Sequence, residues 1–140
     1  MKLLKWLALS CLVLASGCAG SSGDAARERA LLPSLQLAWP AVEDDIQRGV
    51  LDGVEDGDLS KSKSEALLAS ANRLEASLSE DLNQARSVTA FEWPIVHPWA
   101  SRGVIDRLDD GQIGPGVAES FDERIKNFDE GVRKLQAQGR

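Results

Sequence analysis

Apolar residues recur along this chain at helical intervals. Val42, Ile46, Val50 and Val54 fall every fourth residue, and Val96, Ala100, Val104 and Leu108 repeat the pattern further on. A second kind of stripe runs through Leu67, Ala71, Leu74, Leu78, Leu82 and Ala85, stepping 4, 3, 4, 4, 3. Phe121, Ile125, Phe128, Val132 and Leu135 step 4, 3, 4, 3 in the same phase. Such spacing puts each set on one face of a helix, and no window alternates with the period of two that a strand requires.

Asp56-Gly57 and Asp110-Gly111 close the first helix of each pair. Glycine accepts the left-handed conformation of a helix end, and Leu59 or Ile113 can fold back on the last turn. The second helices open after Ser60 and Gly114. Pro115 suits a first helical position, and Ser62 to Glu65 has the form of a capping box. The short turns make neighbouring helices antiparallel. The pattern therefore predicts an all-α fold: two tandem antiparallel helical hairpins that share a core as a small helical bundle. Arg27 to Leu37 is expected to add a short leading helix, kinked or broken at Pro33, and Pro98 to delay the third helix so that His97 lies at or before its N-cap.

The two hairpins are copies of one unit, an internal repeat. At a single gapless offset, Trp39-Pro40 meets Trp93-Pro94, Arg48-Gly49-Val50 meets Arg102-Gly103-Val104, and Asp52, Asp56-Gly57 and Glu65 meet Asp106, Asp110-Gly111 and Glu119. Ten of the forty positions from 39 to 78 are identical, against roughly two or three expected by chance, so the units are drawn as about 39–86 and 93–140. Gly49 and Gly103 each cost a helix interior about 1 kcal/mol relative to alanine, and their recurrence points to a close helix crossing. Trp39 and Trp93 share a repeat position and are read as stapling the start of each hairpin to the core.

The N-terminus follows a different pattern. Lys2 and Lys5 precede an apolar run from Trp6 to Ala15, and Ala15-Ser16-Gly17-Cys18-Ala19-Gly20 follows. Charge, apolar segment and small-residue exit make an export signal. The run is about half of the roughly 20 residues that a spanning helix needs. Leu14-Ala15-Ser16-Gly17-Cys18 resembles the lipobox of bacterial lipoproteins, in which the cysteine is acylated and becomes the first residue of the mature chain. The resemblance implies a signal peptide at 1–17, lipid such as palmitate on Cys18, and, with Ala19 following, an outer-membrane destination on the periplasmic face. The alternative is cleavage by the ordinary signal peptidase, which leaves a secreted protein without lipid. Residues 18–26 (Cys18 to Ala26) have the composition of a flexible tether, and 27–140 is left as the helical domain.

Composition narrows the chemistry. Sixteen basic side chains against 22 acidic give a formal −6. Loss of Lys2 and Lys5 with the leader makes the balance more negative, so nucleic acid is not an expected partner. Expected partners are the membrane, through the N-terminal lipid, and a protein of the envelope. The chain has one histidine and two cysteines, of which Cys11 leaves with the signal. That count rules out a Cys/His zinc site and makes any histidine-dependent catalysis rest on His97. No phosphate-cradling loop, nucleophile elbow or HExxH helix is present. No enzyme activity, catalytic residue or cofactor is expected.

Asp52-x-Val54-x-Asp56-Gly57-x-Leu59 and its copy, Asp106-x-Leu108-x-Asp110-Gly111-x-Ile113, resemble part of an EF-hand or dockerin calcium loop. Val54 and Leu108 stand where an oxygen ligand belongs, and Lys63 and Val117 replace the bidentate glutamate. Asp52, Asp56, Asp106 and Asp110 are thus weak metal candidates and better helix-end residues. Glu43, Asp44, Asp45, Asp52, Glu55, Asp56 and Asp58 are read as a solvated acidic face. The expectation is a lipid-anchored, periplasm-facing protein with a non-enzymatic binding or structural role; the alternative is a metal or small-ligand binder using the acidic Asp-Gly loops.

Overall fold

In a computed structural model that describes residues 19–138, the chain forms four helices: α1 (Ala19–Glu55), α2 (Lys61–Leu78), α3 (Leu82–Asp109) and α4 (Pro115–Ala137). The fold is the expected all-α bundle of two helical hairpins, with no strand among the described residues. The long helices α1 and α3 pack on each other at the centre, while α2 and α4 lie apart on the flanks, each touching both central helices.

The first stripe of each unit forms the core of its long helix except at its last position, where Val54 and Leu108 are exposed. Leu35, Trp39, Val42, Ile46 and Val50 are buried on α1, and Ala85, Thr89, Trp93, Val96, Ala100 and Val104 on α3. The flanking helices add Ala71, Leu74 and Leu78 from α2 and Ile125, Phe128, Val132 and Leu135 from α4. Leu35 and Thr89 are repeat partners, as are Leu31, packed at the edge of the core, and Ala85, so the duplication reaches further back than residues 39 and 93.

The helix ends after α1 and α3 are closed as expected. Gly57 and Gly111 have φ of 80° and 71°. The Leu59 and Ile113 amides bond back to the carbonyls of Gly53 and Arg107, closing the last turns. Asp81 caps α3 by accepting from the amides of Asn83 and Gln84, and Ser60 caps α2 by accepting from Lys63. At the other end, Gln36 of α1 donates to the Leu78 carbonyl and Arg86 of α3 to the Leu135 carbonyl, so each long helix satisfies the end of its own partner helix.

Three boundaries differ from the sequence reading. The chain is helical from Ala19, over the stretch read as a tether and straight through Pro33 and Pro40. The second seam stops at Leu78; Leu82 and Ala85 are in phase with it but belong to α3. That helix runs unbroken through Pro94 and Pro98, which places His97 inside it rather than at its start. These four proline rings are solvent-exposed, while buried side chains flank Pro40, Pro94 and Pro98 on both sides, so packing outweighs the lost backbone bonds.

Candidate functional site

The recurring glycines mark where α1 and α3 touch backbone to backbone. A Cβ on Gly49 would run into the Trp99 carbonyl and come within 2.8 Å of the Gly103 nitrogen, and one on Gly103 would meet the Asp45 carbonyl and lie 2.9 Å from the Gly49 nitrogen. Asp45 and Trp99 are themselves repeat partners. The crossing therefore lies on a pseudo-twofold axis, which brings the neighbouring polar residues of one unit onto those of the other.

Two arginine clamps result. Arg48 donates from Nε to Asp106 and from Nη2 to Asp110 at 2.6 Å. Its counterpart Arg102 donates to Asp52 at 2.5 Å, Asp58 at 2.7 Å and Asp56 at 3.0 Å. The Arg102 bond holds the Asp52 carboxyl below its ordinary range, and the bonds to Asp52 and Asp58 push the Arg102 guanidinium up. Asp52, Asp56, Asp106 and Asp110 are thus divided between the two clamps, each bonded to a guanidinium. Among the described residues no group of three or more His, Cys, Asp or Glu side chains is placed to hold a metal ion.

Within the acidic face read as solvated, Glu43 and Asp52 are half-buried and one residue lies in the core. Asp45 is fully buried, because it lies on the core stripe three residues from Val42 and four from Gly49. Arg124 of α4 donates to its Oδ2 at 2.6 Å, and Arg107 of α3, which bonds Asp44 at 2.5 Å, stands 3.9 Å from Oδ1. Burial pushes the Asp45 carboxyl up, and the Arg124 bond opposes that shift. Arg124 lies 4.1 Å over the Phe121 ring. Asp45 Oδ1 and the Nε atoms of Arg107 and Arg124 are buried without a hydrogen bond. The repeat-equivalent place is apolar, with Trp99 packed over Gly53 and Leu59. A second buried acid, Glu92, faces Arg73, with Nε at 2.6 Å and Nη2 at 3.2 Å, and its carboxyl is held down by that contact. Sequence reasoning missed both pairs; the available signal was a charged residue standing on an apolar stripe.

Trp39 and Trp93 are core residues of the long helices rather than staples at hairpin starts. Trp93 donates from Nε1 to Asp129 at 2.8 Å, and both indoles pack on Phe128. Trp39 Nε1 is buried without a partner. His97 packs against the Trp93 ring at 4.9 Å within α3.

Two surface depressions follow the helix seams. A groove of about 540 Å³ between α1 and α2 is lined by Glu43, Gln47, Leu51, Val54, Leu68 and Ala71 among others. A trough of about 430 Å³ between α2 and α3 is lined mainly by Leu59, Leu67, Ile95 and Trp99. No described helix is long and apolar enough to cross a membrane. The signal segment 1–17 and Cys18 lie outside the described residues. Compared with protein-family models, curated proteins and solved structures, the chain matches none.

Proposed function

We propose that the protein is a lipid-anchored lipoprotein of the cell envelope, held on the periplasmic face of the outer membrane through Cys18 and acting by binding or assembly rather than catalysis. The observation that carries this reading is the N-terminal sequence, with Lys2 and Lys5, the run Trp6 to Ala15 and a cysteine directly after Ser16-Gly17. The helix that starts at Ala19 suits the role. From there to Leu31, the first of the described side chains packed against the core, α1 spans about 18 Å at the helical rise, enough to hold the bundle off a bilayer surface. The non-enzymatic part is supported by where the reactive side chains sit: His97 against an indole, and the acids of the Asp-Gly loops in guanidinium clamps. The clamps also disfavour the metal-binding alternative, because a cation would have to displace an arginine from each carboxylate.

The test is maturation in a Gram-negative host. Cys18→Ser, or a globomycin block of the lipoprotein signal peptidase, is expected to leave an unprocessed form in the inner membrane and to abolish palmitate labelling. Unchanged processing with no label in the wild type would overturn the anchor and leave a secreted protein.

A further inference from the structure

The α1/α2 groove has a lining that the second hairpin does not repeat, although the duplication supplies the same helices twice. Its walls are two antiparallel stripes: Glu43, Gln47, Val50, Leu51 and Val54 on α1, and Ser64, Leu68, Ala71 and Asn72 on α2. Leu51 and Val54 stay 49% and 38% exposed on its rim. In the second hairpin Ile125 occupies the position of Ala71 and is buried, and Asp122 replaces Leu68. The small side chain at 71 therefore opens the groove, and Leu68 keeps its wall apolar.

The charges at one end are as distinctive. Glu43 and Glu75 sit at the same end of the two antiparallel stripes, and among the described residues neither has a cationic partner within 4.0 Å. Partial burial and repulsion from Glu75 raise the Glu43 carboxyl. The corresponding pair in the second hairpin is His97 and Asp129, and there Asp129 is satisfied by Trp93 and Arg133. A pair of like charges, one of them partly buried, left uncompensated beside an apolar channel favours an occupant that brings a cation.

We infer that the α1/α2 groove is a docking site for a basic amphipathic helix of a partner protein, which lays an apolar stripe on Leu51, Val54 and Leu68 and sets a lysine or arginine between Glu43 and Glu75. From Glu43 to Val54 the groove runs about 17 Å, which three turns of helix fill, and an anchor at every third or fourth residue matches its walls. The acidic net charge of the chain steers such a partner toward it. The inference takes the binding role proposed above as its setting, but it does not depend on the anchor. Cys18→Ser tests one and leaves the other intact.

The probe is a labelled 14-residue helical peptide of leucine and lysine, with leucines at i, i+3, i+4 and i+7, titrated into the full chain in mild non-ionic detergent. Saturable one-to-one binding is expected. Ala71→Ile, which copies the second hairpin, should weaken it at least tenfold. Glu43→Gln with Glu75→Gln should weaken it about tenfold and flatten its salt dependence, whereas Asp122→Asn with Glu123→Gln on the far hairpin should leave it unchanged. Because Ala71 is buried, the exposed substitution Leu51→Lys serves as a second block that leaves the core untouched. The inference is overturned by equal binding of a leucine–glutamate peptide, by equal loss with the far-hairpin acids, or by binding that survives both Ala71→Ile and Leu51→Lys. It is equally overturned if the groove variants abolish only a concentration-dependent self-association of the chain.

Discussion

At the scale of single residues, glycine has opposite meanings in different helices. Gly49 is pressed on the Trp99 carbonyl, and neither backbone can move without separating α1 from α3. Gly116, in the first turn of α4, has nothing within 4 Å of the place a methyl group would take and only weakens its helix. Gly49→Ala is therefore expected to cost about 3 kcal/mol in urea unfolding, and Gly116→Ala to gain about 0.5–1 kcal/mol. The buried acids also differ in sign. Glu92 is held below its ordinary 4.5 by Arg73, so its contribution is present above that pH and lost as the medium is acidified through the lowered value. Asp45 is raised above its ordinary 3.8 by burial, so its ionisation opposes folding and acidification relieves it. Between pH 5 and 3, Glu92→Gln should flatten the fall in urea midpoint relative to wild type, and Asp45→Asn should steepen it. The repeat alone made Gly49 and Gly103 legible as a crossing. Asp45 was not legible in the same way, because its partners Arg107 and Arg124 belong to the other unit of the repeat and its own neighbourhood is rich in exposed acids.

At the scale of elements, the termini after α1 and α3 were readable and the start of α3 was not. Asp56-Gly57 and Asp110-Gly111 act locally, through positive φ and bonds within a few residues, so sequence alone identifies them. The long helices pass through Pro33, Pro40, Pro94 and Pro98 because their rings face solvent and buried tryptophans, valines and alanines grip the buried face, a tertiary effect invisible to a local rule. The break between α2 and α3 hid for the opposite reason: Leu82 and Ala85 keep the phase of the α2 stripe across it. Only Asp81 signals the new helix, through its bonds to Asn83 and Gln84 at 2.8 and 3.0 Å. Asp81→Ala is expected to cost about 1 kcal/mol and to speed hydrogen exchange at the first amides of α3, while the amides of α4 keep their protection.

At the scale of the molecule, the two hairpins form a pseudo-dimer within one chain, and its symmetry is broken where self-pairing would otherwise succeed. Everything on the crossing axis is shared: Gly49 and Gly103, Arg48 with Asp106, and Arg102 with Asp52. One turn away the halves diverge, with Asp45, Arg107, Arg124 and Phe121 on one side and Trp99, Gly53, Ser70 and Leu67 at the equivalent positions on the other. Two copies of the first hairpin would set Asp45 against Gly53 and Ser70 and take away Arg107 and Arg124, the two cations that face it in the native pairing. Two copies of the second would set Trp99 against Arg107 and Arg124 and leave both cations without their carboxylate. Mispairing is thus penalised on both sides while the native pairing satisfies both, which is how a duplicated unit avoids pairing like halves with each other. Fragments 19–80 and 81–140 are expected to remain monomeric apart and to form a one-to-one helical complex when mixed, as sedimentation and circular dichroism would register. Asp45→Trp in the first fragment restores an indole beside Gly53 on both sides of the axis and should convert that fragment into a homodimer. Equal self-association of the unsubstituted first fragment would show that Asp45 does not direct the pairing.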